Sequence, residues 1–258
     1  MQIKREKLKY LFLSFIGGIV FLVFWQTITS LNLVQSFFLP SPKSILDSIV
    51  TLFIQGSLLG DIGASLFRIV AGFILSIIVA LPLGVLFGTS RKTEAIVEPL
   101  VAFIRYIPPS AFIPLIIVWF GVGEMGKVIL VFLGVAPYLT LLIADTVHAI
   151  RKELLEAALT LGATRSNLVF KVILPYSMPA IWDSFRIMFG AAWTFVIIAE
   201  IVGSSSGLGH LMIESQRFLR TDNIFAGIVV IGLLGILTDY SFKASSKILF
   251  PWTEKSHA

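Results

Sequence analysis

Three groups of residues in this 258-residue chain have types and spacings suited to chemistry. The run Gly121-Val122-Gly123-Glu124-Met125-Gly126-Lys127-Val128 falls one residue short of the G-x-x-x-x-G-K-[ST] loop, whose amides and lysine cradle phosphate. Val128 stands where the magnesium-holding hydroxyl belongs, and no strand precedes the run, so it reads as a turn between helices. Gly203-Ser204-Ser205-Ser206-Gly207 satisfies G-x-S-x-G, which at a strand-to-helix elbow presents a nucleophilic serine. With Ser205 as nucleophile and His210 or His148 as base, this would be an intramembrane serine hydrolase. His210 is only five positions away, however, and His148 is expected at the opposite membrane face, so an external loop is the simpler reading. His148 has no second histidine at helical spacing, and no metal site is expected. The third group is Arg68, Arg105 and Arg186, each inside a long apolar stretch.

The elements that must hold these residues are membrane helices. Hydrophobic residues make up 57% of the chain before its 20 glycines are counted, and charged residues only 14%, about half the usual share. So little charge cannot coat a soluble globule, which argues against a soluble enzyme or a nucleic-acid binder despite the net charge of +5. There is no cysteine, hence no disulfide, thiolate catalysis or cysteine-held metal.

Crossing a bilayer takes about 20 apolar residues per helix. Six stretches qualify, near Leu11–Leu31, Ile62–Gly88, Ile96–Phe120, Val128–Ile150, Met178–Val202 and Ile224–Leu249, predicting one all-α, six-span membrane domain over residues 1–258. The first apolar run is longer than a cleavable signal core and lacks an A-x-A-like site, so an uncleaved first span is expected. With both termini inside, the cytoplasmic segments and the edge of the last span hold thirteen Lys and Arg: Lys4, Arg5, Lys7, Lys9, Arg91, Lys92, Arg151, Lys152, Arg165, Lys171, Lys243, Lys247 and Lys255. Only four, Lys43, Lys127, Arg217 and Arg220, fall outside, which sets this orientation by the positive-inside rule.

An ionised side chain in hydrocarbon costs several kcal/mol unless it faces protein or water, so the three arginines are expected to point inward. Arg105 and Arg186 lie about 12–14 Å from the cytoplasmic ends of their spans, close to the bilayer middle. Pro108, Pro109 and Pro114 should break the third span just past Arg105, and broken backbone at that depth must pack in protein or line a wet cavity. Arg105, Tyr106, Pro108, Pro109, Arg186 and Trp193 are therefore the candidate translocation path, whose cationic lining favours anions. The competing role is a structural ion pair: Asp183 stands three residues before Arg186, Glu98 seven before Arg105, and Arg68 can simply fix the second span. Asp145, His148, Glu200 and Asp239 are expected near membrane edges, explicable by packing or snorkelling.

The loop at about 151–177 carries the most specific pattern. Arg151 to Leu161 suits a short helix, Gly162 a left-handed cap, and Thr164 or Ser166 the start of a second helix that should stop at Pro175. Glu156-Ala157-Ala158, Gly162 four positions later and Leu174-Pro175 beyond it resemble the EAA loop of ATP-binding-cassette (ABC) importer permeases, with Val172 where that pattern favours isoleucine. Phe38-Leu39-Pro40-Ser41-Pro42, Ile107-Pro108-Pro109, Trp119-Phe120-Gly121-Val122-Gly123-Glu124, Ala199-Glu200-Ile201 and Ser206-Gly207-Leu208-Gly209 are similar to the nitrate, sulfonate, taurine and bicarbonate branch.

That resemblance implies a type I ABC importer permease fold in a bacterial inner membrane and a second copy of the chain. It also implies two cytoplasmic ATPase subunits that bind the ATP and magnesium, an external substrate-binding protein, and no cofactor or catalytic residue in this chain. Glu156, Ala157, Ala158, Gly162 and Ala163 would then contact the ATPase. Two other classes compete: a self-contained ion-coupled transporter or channel, which would not need the loop, and the serine hydrolase above.

Overall fold

A computed structural model describes the backbone of residues 2–253 and the side chains from Phe12 to Thr253, save those of residues 14 and 15. The side chains of Lys4, Arg5, Lys7 and Lys9, and the whole of Lys255, lie outside the described residues. In chain order the helices are α1 (Gln2–Ser30), α2 (Pro42–Ile54), α3 (Ser57–Thr89), α4 (Arg91–Tyr106), α5 (Ile113–Phe120) and α6 (Glu124–His148). They continue with α7 (Lys152–Thr160), α8 (Arg165–Leu168), α9 (Leu174–Gly203), α10 (Leu208–Arg217) and α11 (Thr221–Leu249). Helices α3, α6, α9 (with α8) and α11 are each long and apolar enough to cross a membrane, and α4 with α5 forms a fifth candidate bent by 88°. Helix α1 occupies the first expected span, and its described apolar part is Ile16–Ser30.

The bundle is organised around α6, with α3 along one side and α9 along the other. Lipid is as apolar as leucine, so small residues that let backbones approach supply much of the packing between membrane helices. Gly84 and Gly88, four apart on α3, serve this purpose: a Cβ on Gly84 would sit 2.6 Å from Ile143 Cβ, and one on Gly88 would meet Val147. Aromatic rings tie in α9 and α11, with Phe73 and Phe189 centroids 5.0 Å apart, Phe189 and Phe242 5.3 Å, and Trp182 donating to the Phe242 carbonyl at 3.2 Å. Helix α1 reaches the bundle through Trp25, which donates to Pro40 O at 3.1 Å and packs on Phe225.

Three local features refine the sequence expectations. Ser41 caps α2 by accepting from the Ser44 amide at 3.1 Å with Pro42 at the first helical position, so the segment after the first span contains a helix. The third span breaks where the prolines require it: α4 ends at Tyr106, Ile107 is extended, and Pro109–Phe112 makes a 3₁₀ turn into α5. The helix expected to stop at Pro175 instead continues. A wide π turn at Val169–Ile173 delivers Pro175 into the first turn of α9, where its missing amide hydrogen breaks no bond.

Candidate functional site

The break after α4 gathers four of the candidate path residues. Arg105 sits in the last turn of α4, half-buried; its Nη2 donates to Tyr106 Oη at 3.3 Å. The guanidinium carbon lies 5.1 Å from the Tyr106 ring centroid and 5.6 Å from that of Tyr138 on α6. Aromatic faces attract the cation without neutralising it, and Arg105 makes no ion pair among the described residues, Glu98 included. Pro108 and Pro109 follow directly in the break. Tyr138 escaped sequence reading because nothing local distinguishes it within its apolar run.

Arg186 and Trp193 are placed otherwise. Arg186 meets Asp183, the carboxylate its spacing suggests, at 3.4 Å, and Asp239 of α11 at 3.3 Å; Asp239 also holds Lys243 at 2.6 Å. Its charge is thus used in joining α9 to α11. Trp193 is buried in the main hydrophobic cluster and borders a small apolar cleft with Ile228 and Ile231.

A second polar centre was not foreseen as a unit. Arg68, only 1% exposed, donates from Nε and Nη2 to the two carboxylate oxygens of Glu124 at 2.6 and 2.7 Å. Nη1 reaches Glu200 at 2.7 Å and Ser206 O at 2.7 Å, and Nη2 also reaches Ser206 Oγ at 3.0 Å. All five guanidinium hydrogens can be satisfied, as a charge at this depth requires. Glu200, read from sequence as an edge residue that could snorkel, is 0% exposed. It accepts from Arg68, from Ser65 Oγ at 2.7 Å and from the Gly209 amide at 2.8 Å. The Leu208 amide donates to Ser65 Oγ at 2.9 Å and the Gly207 amide to Asp61 at 2.7 Å. The free amides at the start of α10 are therefore pinned onto α3 and α9 by groups that suit a helix N-terminus.

At the other end of the bundle, α7, Gly162 and α8 form the expected helix–turn–helix. Gly162 has φ +83°, its amide donates to Leu159 O at 2.9 Å, and Ala163 N donates to Ala158 O at 3.1 Å. These are the two bonds of a Schellman cap. Thr164 Oγ1 then accepts from Asn167 N at 3.3 Å to start α8. Leu154 and Leu155 pack on the bundle; Glu156, Ala157 and Gly162 are exposed, Ala158 and Ala163 half-buried, and Leu161 is 88% exposed.

Residues 72–255 match the family described as the inner-membrane component of binding-protein-dependent transport systems. The chain belongs to that family. The taurine transport system permease protein of Escherichia coli (strain K12) is 32% identical over 238 residues, covering 90% of this chain and 86% of that protein. A probable ABC transporter permease protein of Brucella abortus (strain 2308) is 38% identical over 234 residues, covering 90% and 92%. The bicarbonate transport system permease protein of Synechococcus elongatus is 28% identical over 249 residues, covering 91% and 88%. In fold, the chain matches an inward-facing structure of the MetNI methionine ABC transporter with a TM-score of 0.70 at 21% identity, over 76% of this chain and 97% of that one. It is thus an ABC importer permease of the taurine, sulfonate and bicarbonate type, a transport component rather than an enzyme.

In this permease the two enzyme-like motifs have structural uses. The near phosphate loop is the turn from α5 into α6, and Lys127 binds Glu124 at 2.8 Å in place of a phosphate. In the serine motif, Ser205 is exposed, while Ser206 holds Arg68. Gly207 has φ +112°, where a Cβ would collide with the Glu200 carboxylate and Arg68. His210 faces Glu214 at 3.7 Å and His148 faces Glu94 at 3.5 Å, so neither histidine is paired with Ser205.

Proposed function

We propose that this permease is the membrane-spanning subunit of an ATP-driven importer of a small oxyanion, working in a bacterial inner membrane with both termini in the cytoplasm. It pairs with a second copy of itself and docks two cytoplasmic ATPase subunits that bind ATP and magnesium. An external binding protein delivers the solute; this chain needs no cofactor. The observation that carries the reading is the exposed surface of Glu156, Ala157, Leu161 and Gly162 beyond the α7 cap, in a member of a binding-protein-dependent transport family. Leu154 and Leu155 root α7 in the bundle, so force applied to that surface is transmitted to the spans.

Arg105 supports the anion assignment. It stands at the helix break with aromatic company and, among the described residues, no carboxylate partner, so its potential remains available to an anionic solute. Nitrate, bicarbonate, taurine and other sulfonates fit such a group, and final discrimination belongs largely to the binding protein. ATP binding and hydrolysis move the docked α7 segments, and the two copies rock between outward and inward openings.

The test is reconstitution of the permease with its ATPase and binding protein in proteoliposomes. Solute uptake should require ATP and the ATPase subunit and should survive Ser205→Ala. Uptake by the permease alone would replace this reading with a self-contained transporter or channel; loss of activity in Ser205→Ala would revive the hydrolase.

A further inference from the structure

Arg105 stands where a helix stops. Tyr106 is the last residue of α4, Ile107 is extended, and α5 leaves the break at 88° to α4. A long side chain on such an end samples many rotamers, and ordering it when a ligand arrives opposes binding. It also has a local competitor. Glu98 lies seven residues earlier on α4, two turns away and on roughly the same face. A guanidinium folded back onto that carboxylate would be neutralised and lost to a solute.

The contact that prevents both outcomes comes from α6. Residues 134–140 of that helix are all buried except Tyr138, which is 39% exposed. Val135 and Leu139 on either side belong to the main hydrophobic cluster, so the Tyr138 ring projects from a close-packed wall. The Arg105 guanidinium carbon lies over this ring, 5.6 Å from its centroid, and over the Tyr106 ring at 5.1 Å. Tyr106 moves with Arg105 as its chain neighbour, whereas Tyr138 ties the cation to the bundle. Ring faces attract a cation through their quadrupole and take up none of its in-plane N–H bonds. Of the five guanidinium N–H donors one goes to Tyr106 Oη at 3.3 Å, and the rest have no acceptor among the described residues. The charge is held in place with its donor edge open, which is the geometry an oxyanion accepts.

We infer that Tyr138 is the positioning residue of the anion site: its ring fixes the Arg105 guanidinium against α6, charged and open-edged, and keeps it off Glu98. This rests on the anion-path reading of Arg105 above and deepens it. Tyr138 acts through its π face, so the ring matters and the phenol hydroxyl does not.

The test titrates the whole permease–ATPase complex in nanodiscs with ethanesulfonate, a simple monovalent oxyanion, by ligand-observed NMR. Tyr138→Leu should weaken binding by about three- to tenfold. Tyr138→Phe, which keeps the ring, should recover affinity to within about twofold of the original protein. Fluorinating that ring nearly preserves its size but weakens its negative face. Tyr138→3,4,5-trifluorophenylalanine should therefore bind about threefold or more weakly than Tyr138→Phe. A ring that merely fills space would show no such difference, and this comparison keeps the test decisive if Tyr138→Leu fails to assemble. In an Arg105→Gln background, Tyr138→Leu should change affinity by less than about twofold, because its effect passes through the cation. Equal affinity of the Phe and trifluorinated variants, or a Tyr138→Leu loss that persists undiminished without Arg105, overturns the inference and leaves the path role of Arg105 standing. Absence of ethanesulfonate binding, or binding unchanged by Arg105→Gln, removes that path role and the inference with it; uptake without ATP would sink the importer reading itself.

Discussion

Replacing Glu200 with glutamine changes one atom at a fully buried carboxylate that faces the buried Arg68. The Glu200 carboxylate accepts from Arg68, Ser65 and the Gly209 amide, all within 2.9 Å. An amide keeps one acceptor oxygen, turns an NH₂ group toward one or more of those donors and removes the charge opposing Arg68. Breaking a buried ion pair by neutralising one partner typically costs about 3–5 kcal/mol. Glu124 still grips two nitrogens of Arg68, which puts the expected loss at the low end, about 3 kcal/mol. Reversible unfolding in bicelles measures it. Asp183→Asn provides an internal comparison, because Asp183 pairs with Arg186 from a side chain 61% exposed, where a pair contributes only about 0–1 kcal/mol. A Glu200→Gln loss below about 1 kcal/mol, or no larger than that of Asp183→Asn, would refute the idea that this cluster locks α10 to α3 and α9.

Gly207→Ala should destabilise by about 2 kcal/mol or more in the same assay, because its φ and the Glu200 carboxylate both oppose a Cβ. Arg105→Gln should lower anion uptake in proteoliposomes at least about tenfold while ATPase subunits still copurify; unchanged uptake across a range of solute concentrations would count against Arg105 as a path residue. Gly162→Leu strains the left-handed cap and adds bulk to the exposed turn, so ATP hydrolysis should continue with transport lost. Normal coupling in that variant would remove α7 from the drive mechanism.

Much of the architecture was legible because it is encoded locally. Long apolar runs mark spanning helices, Pro108 and Pro109 break the third of them, and the Glu156 to Gly162 string presents a capped helix. These features need only hydropathy, a missing amide hydrogen or a positive φ, all carried by neighbouring residues. Pro175 was misread because a proline's effect depends on the turn geometry preceding it, and the π turn that accommodates it has no comparably clear local signal. Ser41-Pro42, by contrast, is a plain capping signal for α2.

The partners of the intramembrane charges were not legible to the same degree. Spacing alone could offer Asp183 to Arg186, since three residues are less than one helical turn. Nothing in the sequence ties Arg68 to Glu124, 56 positions on, or to Glu200, 132 positions on. Nor does it say that Asp145 of α6 and Ser177 of α9 line one cleft. Composition and local pattern settled that the chain is a helical membrane protein with an exposed turn at Gly162. Which buried charges are neutralised and which stay open to a solute was decided by helix packing, because Coulomb attraction and hydrogen bonds depend on distance in space, which packing creates between residues far apart in the chain.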